Sequence, residues 1–337
     1  MLIIRNGDVR QVLNGSEAET IDVVRDSYRL HDEMRTAVPH SIFLRFPDSP
    51  RDRIIGLPAY RGGDEPVAGM KWIASFPKNI ESGIERASAT VLLNSMETGR
   101  PVAMVEGSVI SARRTAASAA LAATLMAGET APTGVTLVGC GVINFEVLRF
   151  LTVAFPGLSR VTVFDMDPAR AEGFTARCAE LLPDGAFEVA GTLEQAMGAH
   201  DLVSLATTAA EPYTDLSHCR PGSVVLNVSL RDLTPESVLA AQNVVDDPDH
   251  VCREKTSLHL AQELAGDRGF IDATIGQLIR GTVTLERDPD KVRVFSPFGL
   301  GVLDIALAEF VRTRAESAGL GLKVEDFLPG PSAPADR

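Results

Sequence analysis

A strand, a glycine turn, a helix and a second strand follow one another between Gly134 and Asp165, and this order constrains the fold more than any other feature. Glycines permit a tight turn and a close approach of the backbone to a pyrophosphate, which binds the N–H groups at the start of the next helix. The pattern therefore predicts a dinucleotide-binding unit. Its predicted cofactor-binding residues are Gly139, Gly141, Val142, Ile143 and Asn144.

Two residues of this segment refine the prediction. Asp165 ends the second strand, where a carboxylate bonds the adenosine ribose hydroxyls and repels a 2′-phosphate, so NAD is favoured over NADP. Asn144 occupies the sixth position of the glycine pattern, where a small residue is usual. Either the helix lies further from the strand than usual, or Asn144 itself reaches the phosphate.

The alternation of helix and strand patterns continues after Asp165. A helix is predicted at 169–182, and strands are predicted at 202–205, 224–228 and 244–246. Such repetition predicts an α/β fold with a Rossmann-type doubly wound parallel sheet.

An α+β region precedes this sheet in the sequence. It has a helical pattern at 21–34 and strand patterns at 41–46, 53–57 and 68–75, and an Ala-rich helix at 111–127 leads from it to the nucleotide strand. A long helix after Ser296 is expected to return to this region and make it discontinuous. We predict a substrate-binding domain over 1–115 and 306–330, an NAD-binding domain over 116–305 and a flexible tail over 331–337.

Composition excludes several classes of protein. The net charge of -13 argues against nucleic acid and anionic membranes as partners. The four cysteines and six histidines show no spacing typical of a disulfide framework or a metal site. Because no apolar run of about 18 residues and no secretory signal pattern occurs, we expect a cytoplasmic protein.

Basic residues of the first domain are candidate ligands for a substrate carboxylate. Lys71 lies in an alternating apolar stretch, so it either anchors a carboxylate or covers the sheet with its stem while its ammonium group reaches water. Arg114, with Arg113, precedes Thr115 at a predicted helix start and either binds a carboxylate or phosphate or lies on the helix surface. Arg45 is a weaker candidate.

Polar residues follow two predicted parallel strands, at the edge where open α/β sheets bind ligands. Thr207 and Thr208 follow the strand at 202–205, and Ser229, Arg231 and Asp232 follow the strand at 224–228. Asp232 is a candidate general base. It also precedes a predicted helix at Pro235, but Thr234 is the better N-cap for that helix.

Several of these motifs together resemble the ornithine cyclodeaminase and mu-crystallin family. The motifs are KWIASFPKN around Lys71, RRTAASAALA around Arg114, the Gly139 turn, and FSPFGLGVLD ending at Asp304. The phrases LPAY, SLRDLTPE and VVDDPDH look most like the family's dehydrogenases that make 2,3-diaminopropionate for siderophores and peptide antibiotics. The resemblance covers nearly the whole chain.

The resemblance implies a homodimer whose N-terminal domains join their sheets, with an active site between the two domains. It implies NAD-dependent oxidation of N-(2-amino-2-carboxyethyl)-glutamate, followed by hydrolysis to diaminopropionate and 2-oxoglutarate. Such an anionic amino-acid substrate needs several cations, and we predict Arg45, Lys71, Arg114 and Arg231 in this role. Lys71 and Asp232 are predicted to move protons, and Gly299 is predicted to let the backbone approach the nicotinamide.

Two departures from the cyclodeaminases accompany the resemblance. Cyclodeaminases have an acid just before the equivalent of Leu57-Pro58 and a catalytic aspartate in a glycine-rich turn. Here the first place reads Ile55-Gly56, and the second acid is displaced to Asp232. A cyclodeaminase, an imine-reducing amino-acid dehydrogenase and a non-enzymatic ligand-binding protein like mu-crystallin remain the alternatives.

Overall fold

The computed structural model describes residues 1–128 and 130–330 and divides into two units. The first unit comprises Met1–Ser16, Arg35–Ser111 and the chain from Gly301 onward, and the second comprises Glu17–Met34 and Ala112–Leu300. The first unit is therefore discontinuous, as predicted. The predicted tail at 331–337 lies outside the described residues.

A mixed eight-stranded sheet forms the first unit. Its strands are β1 (Leu2–Ile4), β2 (Thr36–Ala37), β3 (Ile42–Phe46), β4 (Ser49–Arg61), β5 (Val67–Ser75), β6 (Ala87–Asn94), β7 (Pro101–Glu106) and β16 (Leu322–Lys323). The strand order is β16-β1-β7-β6-β5-β4-β2, and β3 pairs with β4. The helices of this unit are α1 (Asn6–Leu13), a 3₁₀ turn (Pro77–Ser82) and α11 (Gly301–Ser317).

Helix α11 packs on one face of this sheet. The register places Leu57, Lys71, Val91 and Val105 in one row across β4 to β7, and all four side chains are buried. A Cβ on Gly301 would lie 2.9 Å from the Leu57 carbonyl oxygen, so glycine lets the helix begin this close to the sheet. This packing brings the first turn of α11 against Lys71.

A parallel eight-stranded sheet forms the second unit. Its strands are β8 (Gly134–Val138), β9 (Arg160–Phe164), β10 (Ala186–Val189), β11 (Leu202–Leu205), β12 (Val224–Asn227), β13 (Gln242–Val245), β14 (Ile271–Thr274) and β15 (Arg293–Ser296). The order β10-β9-β8-β11-β12-β15-β13-β14 confirms the predicted Rossmann-type fold. The order of strands reverses between β8 and β11, which is where such sheets bind nucleotides.

The other regular elements described in the second unit are helices. They are α2 (Glu17–Asp32), α4 (Val142–Ala154), α5 (Pro168–Leu181), α6 (Leu193–Met197), α7 (Pro235–Ala240), α8 (Pro248–Val251), α9 (Ser257–Ala265) and α10 (Ile275–Arg280). Helix α3 (Ser108–Met126) runs from the first unit into the second, whose boundary falls after Ser111. The Ala-rich helix is thus the connector that its position in the sequence indicates.

The predicted domain boundaries are wrong in two respects. Residues 17–34 belong to the second unit, where Arg280 Nη1 lies 2.5 Å from Asp32 Oδ2 and a Cβ on Gly276 would lie 2.9 Å from the Tyr28 carbonyl oxygen. An amphipathic pattern shows that a helix has a buried face but not which core buries it. The predicted boundaries at 115/116 and 305/306 lie after the structural junctions at 111/112 and 300/301, the first of which also falls inside α3.

Candidate active site

The glycine turn lies at the point where the strand order reverses. Gly139 has a φ of 91°, and a Cβ there would lie 2.5 Å from the Ala206 carbonyl oxygen that follows β11. Gly141 is the N-cap of α4, and a Cβ on it would meet no atom within 4 Å. The N–H groups of Val142 and Ile143 therefore begin a helix in front of open space, which is what a bound pyrophosphate requires.

Asn144 is fully buried behind this turn. Its Nδ2 donates to the carbonyl oxygens of Val138 and Gly139, both at 2.8 Å, and its Oδ1 accepts a hydrogen bond from Ser204 Oγ at 2.7 Å. These bonds use the amide group inside the protein. The interpretation that the Asn144 side chain reaches a phosphate is therefore wrong, and its role is to join the end of β8 to β11.

Asp165 supports the turn from the end of β9. Its Oδ2 accepts a hydrogen bond from the Cys140 N–H at 2.9 Å, and its Oδ1 accepts one from the Asp167 N–H at 3.1 Å. Burial raises the pKa of the Cys140 thiol to about 12, and the negative charge of Asp165 acts in the same direction. Ribose binding by Asp165 stays a prediction, to which the structure adds this role in fixing the glycine turn.

Asp232 holds together the loops that follow β11 and β12. It is fully buried and accepts hydrogen bonds from Thr207 Oγ1 at 2.5 Å, from Tyr213 Oη at 3.0 Å and from Ser229 Oγ. Thr207 N–H also donates to Ser229 Oγ at 3.0 Å. A carboxylate that accepts hydrogen bonds from three hydroxyl donors is better suited to positioning Thr207 and Ser229 than to exchanging protons with a substrate.

The turn between Ser229 and Asp232 has a strained backbone. Leu230 has a φ of 68°, a region that favours glycine, and its carbonyl oxygen accepts a hydrogen bond from Ser257 N–H at 2.7 Å. Arg231 Nη2 donates to the Glu254 carbonyl oxygen at 2.8 Å.

Two other predicted positions lie near this turn in the sequence or the sheet. The N-cap of α7 is Thr234, as predicted. Thr208, which follows Thr207 after β11, is exposed.

A second buried carboxylate shapes the turn that follows β15. Asp246, directly after β13, accepts hydrogen bonds from Phe298 N–H at 2.9 Å and Gly299 N–H at 2.7 Å. Gly299 has a φ of 92°, and a Cβ on it would lie 2.7 Å from Arg114 Nη1. Asp246 thus holds the predicted nicotinamide-binding glycine against the Arg114 guanidinium.

The two arginines of α3 are buried, so the interpretation of them as surface helix residues is wrong. Arg113 is 1% exposed and Arg114 is 8% exposed. Arg113 Nε lies 3.4 Å from Glu146 Oε2 on α4, and Thr115 follows both arginines on the same helix. Arg113 therefore joins α3 to the nucleotide-binding helix, and Arg114 is the one that lies at Gly299.

Lys71 forms a buried ion pair within the first unit. Its Nζ lies 2.7 Å from Asp304 Oδ2 in the first turn of α11 and donates to Ser111 Oγ at 3.3 Å. The two side chains are 2% and 0% exposed, so the interpretation that the ammonium group reaches water is wrong. Asp304 therefore places a carboxylate directly beside the ammonium group in the interior of the unit.

Arg45 lies apart from Lys71 on the same sheet. It is exposed on β3, its guanidinium carbon is 5.2 Å from the centre of the Phe43 ring, and it pairs in register with Arg53 of β4. Substrate binding by Arg45 stays a prediction.

Sequence reasoning missed Asp246, Tyr213 and the pairing of Asp304 with Lys71. Asp304 had a signal, because a lysine on a half-buried strand needs a partner for its charge. Over residues 1–128 and 130–330, no cluster of His, Cys, Asp or Glu side chains is arranged to hold a metal ion. Across the same ranges, no helix has the length and apolarity needed to cross a membrane.

Comparison with known proteins identifies the family of the chain. The model of the ornithine cyclodeaminase/mu-crystallin family matches residues 7–319. The chain belongs to this family. It is 29% identical to the N-((2S)-2-amino-2-carboxyethyl)-L-glutamate dehydrogenase of Staphylococcus aureus (strain NCTC 8325 / PS 47). The alignment spans 327 residues and covers 95% of this chain and 97% of that protein.

Solved structures agree with the fold. The Thermococcus litoralis Delta(1)-pyrroline-2-carboxylate reductase, solved with NADH and L-proline, matches with a TM-score of 0.90 and 24% identity over 96% of this chain and 100% of that chain. The crystal structure of CmnK matches with a TM-score of 0.88 and 30% identity over 98% of this chain and 99% of that chain. The predicted family and fold class are confirmed.

Proposed function

We propose that the protein is an NAD-dependent dehydrogenase that cleaves N-(2-amino-2-carboxyethyl)-L-glutamate into L-2,3-diaminopropionate and 2-oxoglutarate. The similarity to the Staphylococcus aureus dehydrogenase over 95% of the chain carries this proposal. The balanced reaction consumes the substrate, NAD and water and releases diaminopropionate, 2-oxoglutarate, NADH and a proton. The diaminopropionate would supply the assembly of a siderophore or peptide antibiotic.

The second unit supplies the residues that would hold NAD. The start of α4 after Gly141 would hold the pyrophosphate, Asp165 would hold the adenosine ribose, and the Thr207 and Gly299 turns would hold the nicotinamide. When bound, NAD would supply the acceptor for the hydride that leaves the Cα of the glutamate part. The relatives and this fit agree with the prediction that the protein is an NAD-dependent oxidoreductase.

Lys71 and Arg114 are the cations that we assign to substrate carboxylates. In the first unit, Lys71 binds the α-carboxylate of the glutamate part while Asp304 fixes the position of its ammonium group. In the second unit, Arg114 presents a planar guanidinium that forks onto an anion. These contacts orient the Cα–H bond, and orientation is a large part of catalysis in hydride transfer.

Proton transfer is assigned to Lys71. Oxidation at Cα produces an imine, water adds to it, and the resulting carbinolamine breaks its C–N bond to give the amine and the keto acid. Each step moves a proton on nitrogen or oxygen, and an ammonium group paired with a carboxylate is able to do this. Asp232, enclosed by three hydroxyl donors, positions Thr207 and Ser229 instead.

Substrate-dependent NADH formation tests the proposal. The enzyme is mixed with NAD and, separately, with N-(2-amino-2-carboxyethyl)-L-glutamate, L-ornithine, L-alanine and L-proline, and NADH absorbance and products are followed. The proposal predicts net NADH and equal amounts of 2-oxoglutarate and diaminopropionate with the first compound only. Ornithine converted to proline and ammonia without net NADH, or NADH formed from alanine or proline instead, would contradict it.

An open sheet face supports a homodimer. The face of the first sheet opposite α11 carries Ile42, Leu44 and Trp72, which are 66%, 46% and 43% exposed. An apolar face of this kind is typical of an interface between subunits. We propose that two copies join here. Sedimentation should give a dimer that Trp72→Asp converts to a monomer, and a monomeric native protein would refute the assignment.

A further inference from the structure

The turn after β9 comprises residues 165–170 and is fixed by two carboxylates. Asp165 accepts hydrogen bonds from the N–H groups of Cys140 at 2.9 Å and Asp167 at 3.1 Å. Asp167, the N-cap of α5, accepts a hydrogen bond from Arg170 N–H at 3.3 Å. Both acids therefore bind the backbone, and the positions of the residues between and after them are defined.

Met166 lies between these two acids with its side chain in solvent. It is 94% exposed, more than any other large apolar side chain within residues 1–128 and 130–330. Single exposed apolar residues are common and need no explanation by themselves. Here the acids on both sides are bonded to the backbone, so the turn after β9 holds an apolar side chain in water at a fixed place. A ligand that covered the thioether would remove this apolar surface from water.

Arg170 places a guanidinium group beside the same turn. The residue is exposed in the first helical turn of α5. Over the parts of the chain that the structure describes, its side chain has no hydrogen bond, ion pair or ring contact. Burial raises the pKa of the Cys140 thiol, and the positive charge of Arg170 acts in the opposite direction, so the guanidinium lies within electrostatic range of the glycine turn.

The adenine ring of NAD belongs at this end of β9. Asp165 is predicted to bind the adenosine ribose hydroxyls. The ribose carbon that carries the adenine is bonded to the carbon that carries the 2′-hydroxyl, so the base lies close to the group that binds the ribose. Methionine sulfur makes favourable contacts with aromatic rings, and guanidinium groups stack on the faces of bases. The two side chains displayed here are therefore of the kinds that suit an adenine ring.

We propose that Met166 and Arg170 bind the adenine ring of NAD, Met166 through its thioether and Arg170 by stacking its guanidinium on the ring. The proposal extends the NAD site of the proposed function and rests on ribose binding by Asp165, but not on the identity of the amino-acid substrate. The turn after β9 then recognises the whole adenosine, with the carboxylate on the ribose and two side chains on the base.

Alanine substitutions with matched controls test the contacts. NAD and ADP-ribose, which keeps the adenine but lacks the nicotinamide, are titrated calorimetrically into each variant. Met166→Ala should raise both Kd values about threefold or more, and Arg170→Ala should raise them about tenfold. The controls are Met34→Ala, whose side chain is 87% exposed in the same unit, and Arg177→Ala, which is exposed further along α5. Their Kd values should stay within about twofold of wild type.

Conservative substitutions and NADP distinguish stacking from binding of a charge. Arg170→Lys keeps the charge but loses the planar group, so it should bind NAD about as weakly as Arg170→Ala. Met166→Leu keeps the apolar volume and should recover most of the affinity lost in Met166→Ala. If Arg170→Lys bound NAD as wild type does, or if Arg170→Ala weakened NADP alone, the guanidinium would act as a charge on a phosphate and the stacking would be refuted.

The same titrations separate these contacts from the cofactor assignment. If wild type bound NAD and ADP-ribose and both alanine variants bound them equally well, the adenine contacts would be refuted and the NAD site would stand. If wild type bound neither ligand, the NAD site of the proposed function would fail and the adenine contacts with it. Urea unfolding of Met166→Ala and Arg170→Ala should match wild type, because both side chains are exposed. Weaker binding that only accompanied a less stable fold would also overturn the proposal.

Discussion

The two units stabilise their buried carboxylates in different ways. In the first unit, Asp304 faces the ammonium group of Lys71 at 2.7 Å. In the second unit, Asp232 and Asp246 accept hydrogen bonds from hydroxyl groups and backbone N–H groups. A charged partner brings a cation to a place where a substrate anion can use it, whereas neutral donors fix the shape of loops. The charge that we propose for substrate binding and the turns that we propose for cofactor binding are therefore built by separate means.

Removal of Lys71 should have the largest effect. Lys71→Ala leaves Asp304 buried without its ammonium partner, which should lower the free energy of unfolding by about 3–5 kcal/mol and abolish turnover. The double variant Lys71→Met/Asp304→Leu removes both charges, so urea unfolding should return close to wild type while activity stays absent. Lys78→Met, on the exposed 3₁₀ turn of the same unit, is the control. A Lys71→Ala protein as stable as wild type would show that the pair contributes nothing.

Asp246 should follow in size. Asn at this position offers one acceptor oxygen in place of two, so either Phe298 or Gly299 loses its partner and the turn that holds Gly299 at Arg114 shifts. We expect Asp246→Asn to lower stability by about 3 kcal/mol and to weaken NAD binding, measured by fluorescence titration. Asp272→Asn is the control, because Asp272 Oδ2 accepts the Asn243 N–H away from this turn. Unchanged NAD affinity in Asp246→Asn would show that the Gly299 turn does not contribute to cofactor binding.

The glycine turn and the Lys71–Asp304 pair show what could and could not be predicted from the sequence. The predictions for Gly139 and Asp165 could be made because they depend only on local order along about thirty residues. The pairing of Lys71 with Asp304 joins residues more than two hundred positions apart, and only packing of α11 on the sheet brings them together. Periodicity identified helix α2 but not the core that buries it. The sequence left two interpretations of Asn144 open because its partner Ser204 lies on another strand.

Asp247 gives a pH-dependent test of the second unit. Burial opposes its charge, but the hydrogen bond with His31 and the charge of His250 outweigh this and lower the pKa of Asp247 from 3.8 to about 2. The ionised form therefore stabilises the fold by roughly 2 kcal/mol above pH 3.8, and this contribution is lost as the pH falls through about 2. Urea unfolding at pH 5 should show this loss in Asp247→Asn relative to wild type, and the difference should narrow towards pH 2. If the difference in free energy of unfolding between the two proteins stayed constant from pH 5 to pH 2, the ionisation of Asp247 would not be its source.

The smallest effect should come from single hydroxyl donors to Asp232. Tyr213→Phe removes one of the three and should lower the free energy of unfolding by about 1 kcal/mol, with little change in kcat. Asp232→Asn disturbs all three bonds and should reduce kcat/KM. The fall of kcat/KM at low pH, which is the acidic limb of the pH profile, should nevertheless be the same as in wild type. The reason is that Asp232 positions Thr207 and Ser229 and does not exchange protons with the substrate. If Asp232→Asn lost the acidic limb while Tyr213→Phe kept it, Asp232 would be the general base. A carboxylate enclosed by hydroxyl groups would then still be able to take part in proton transfer.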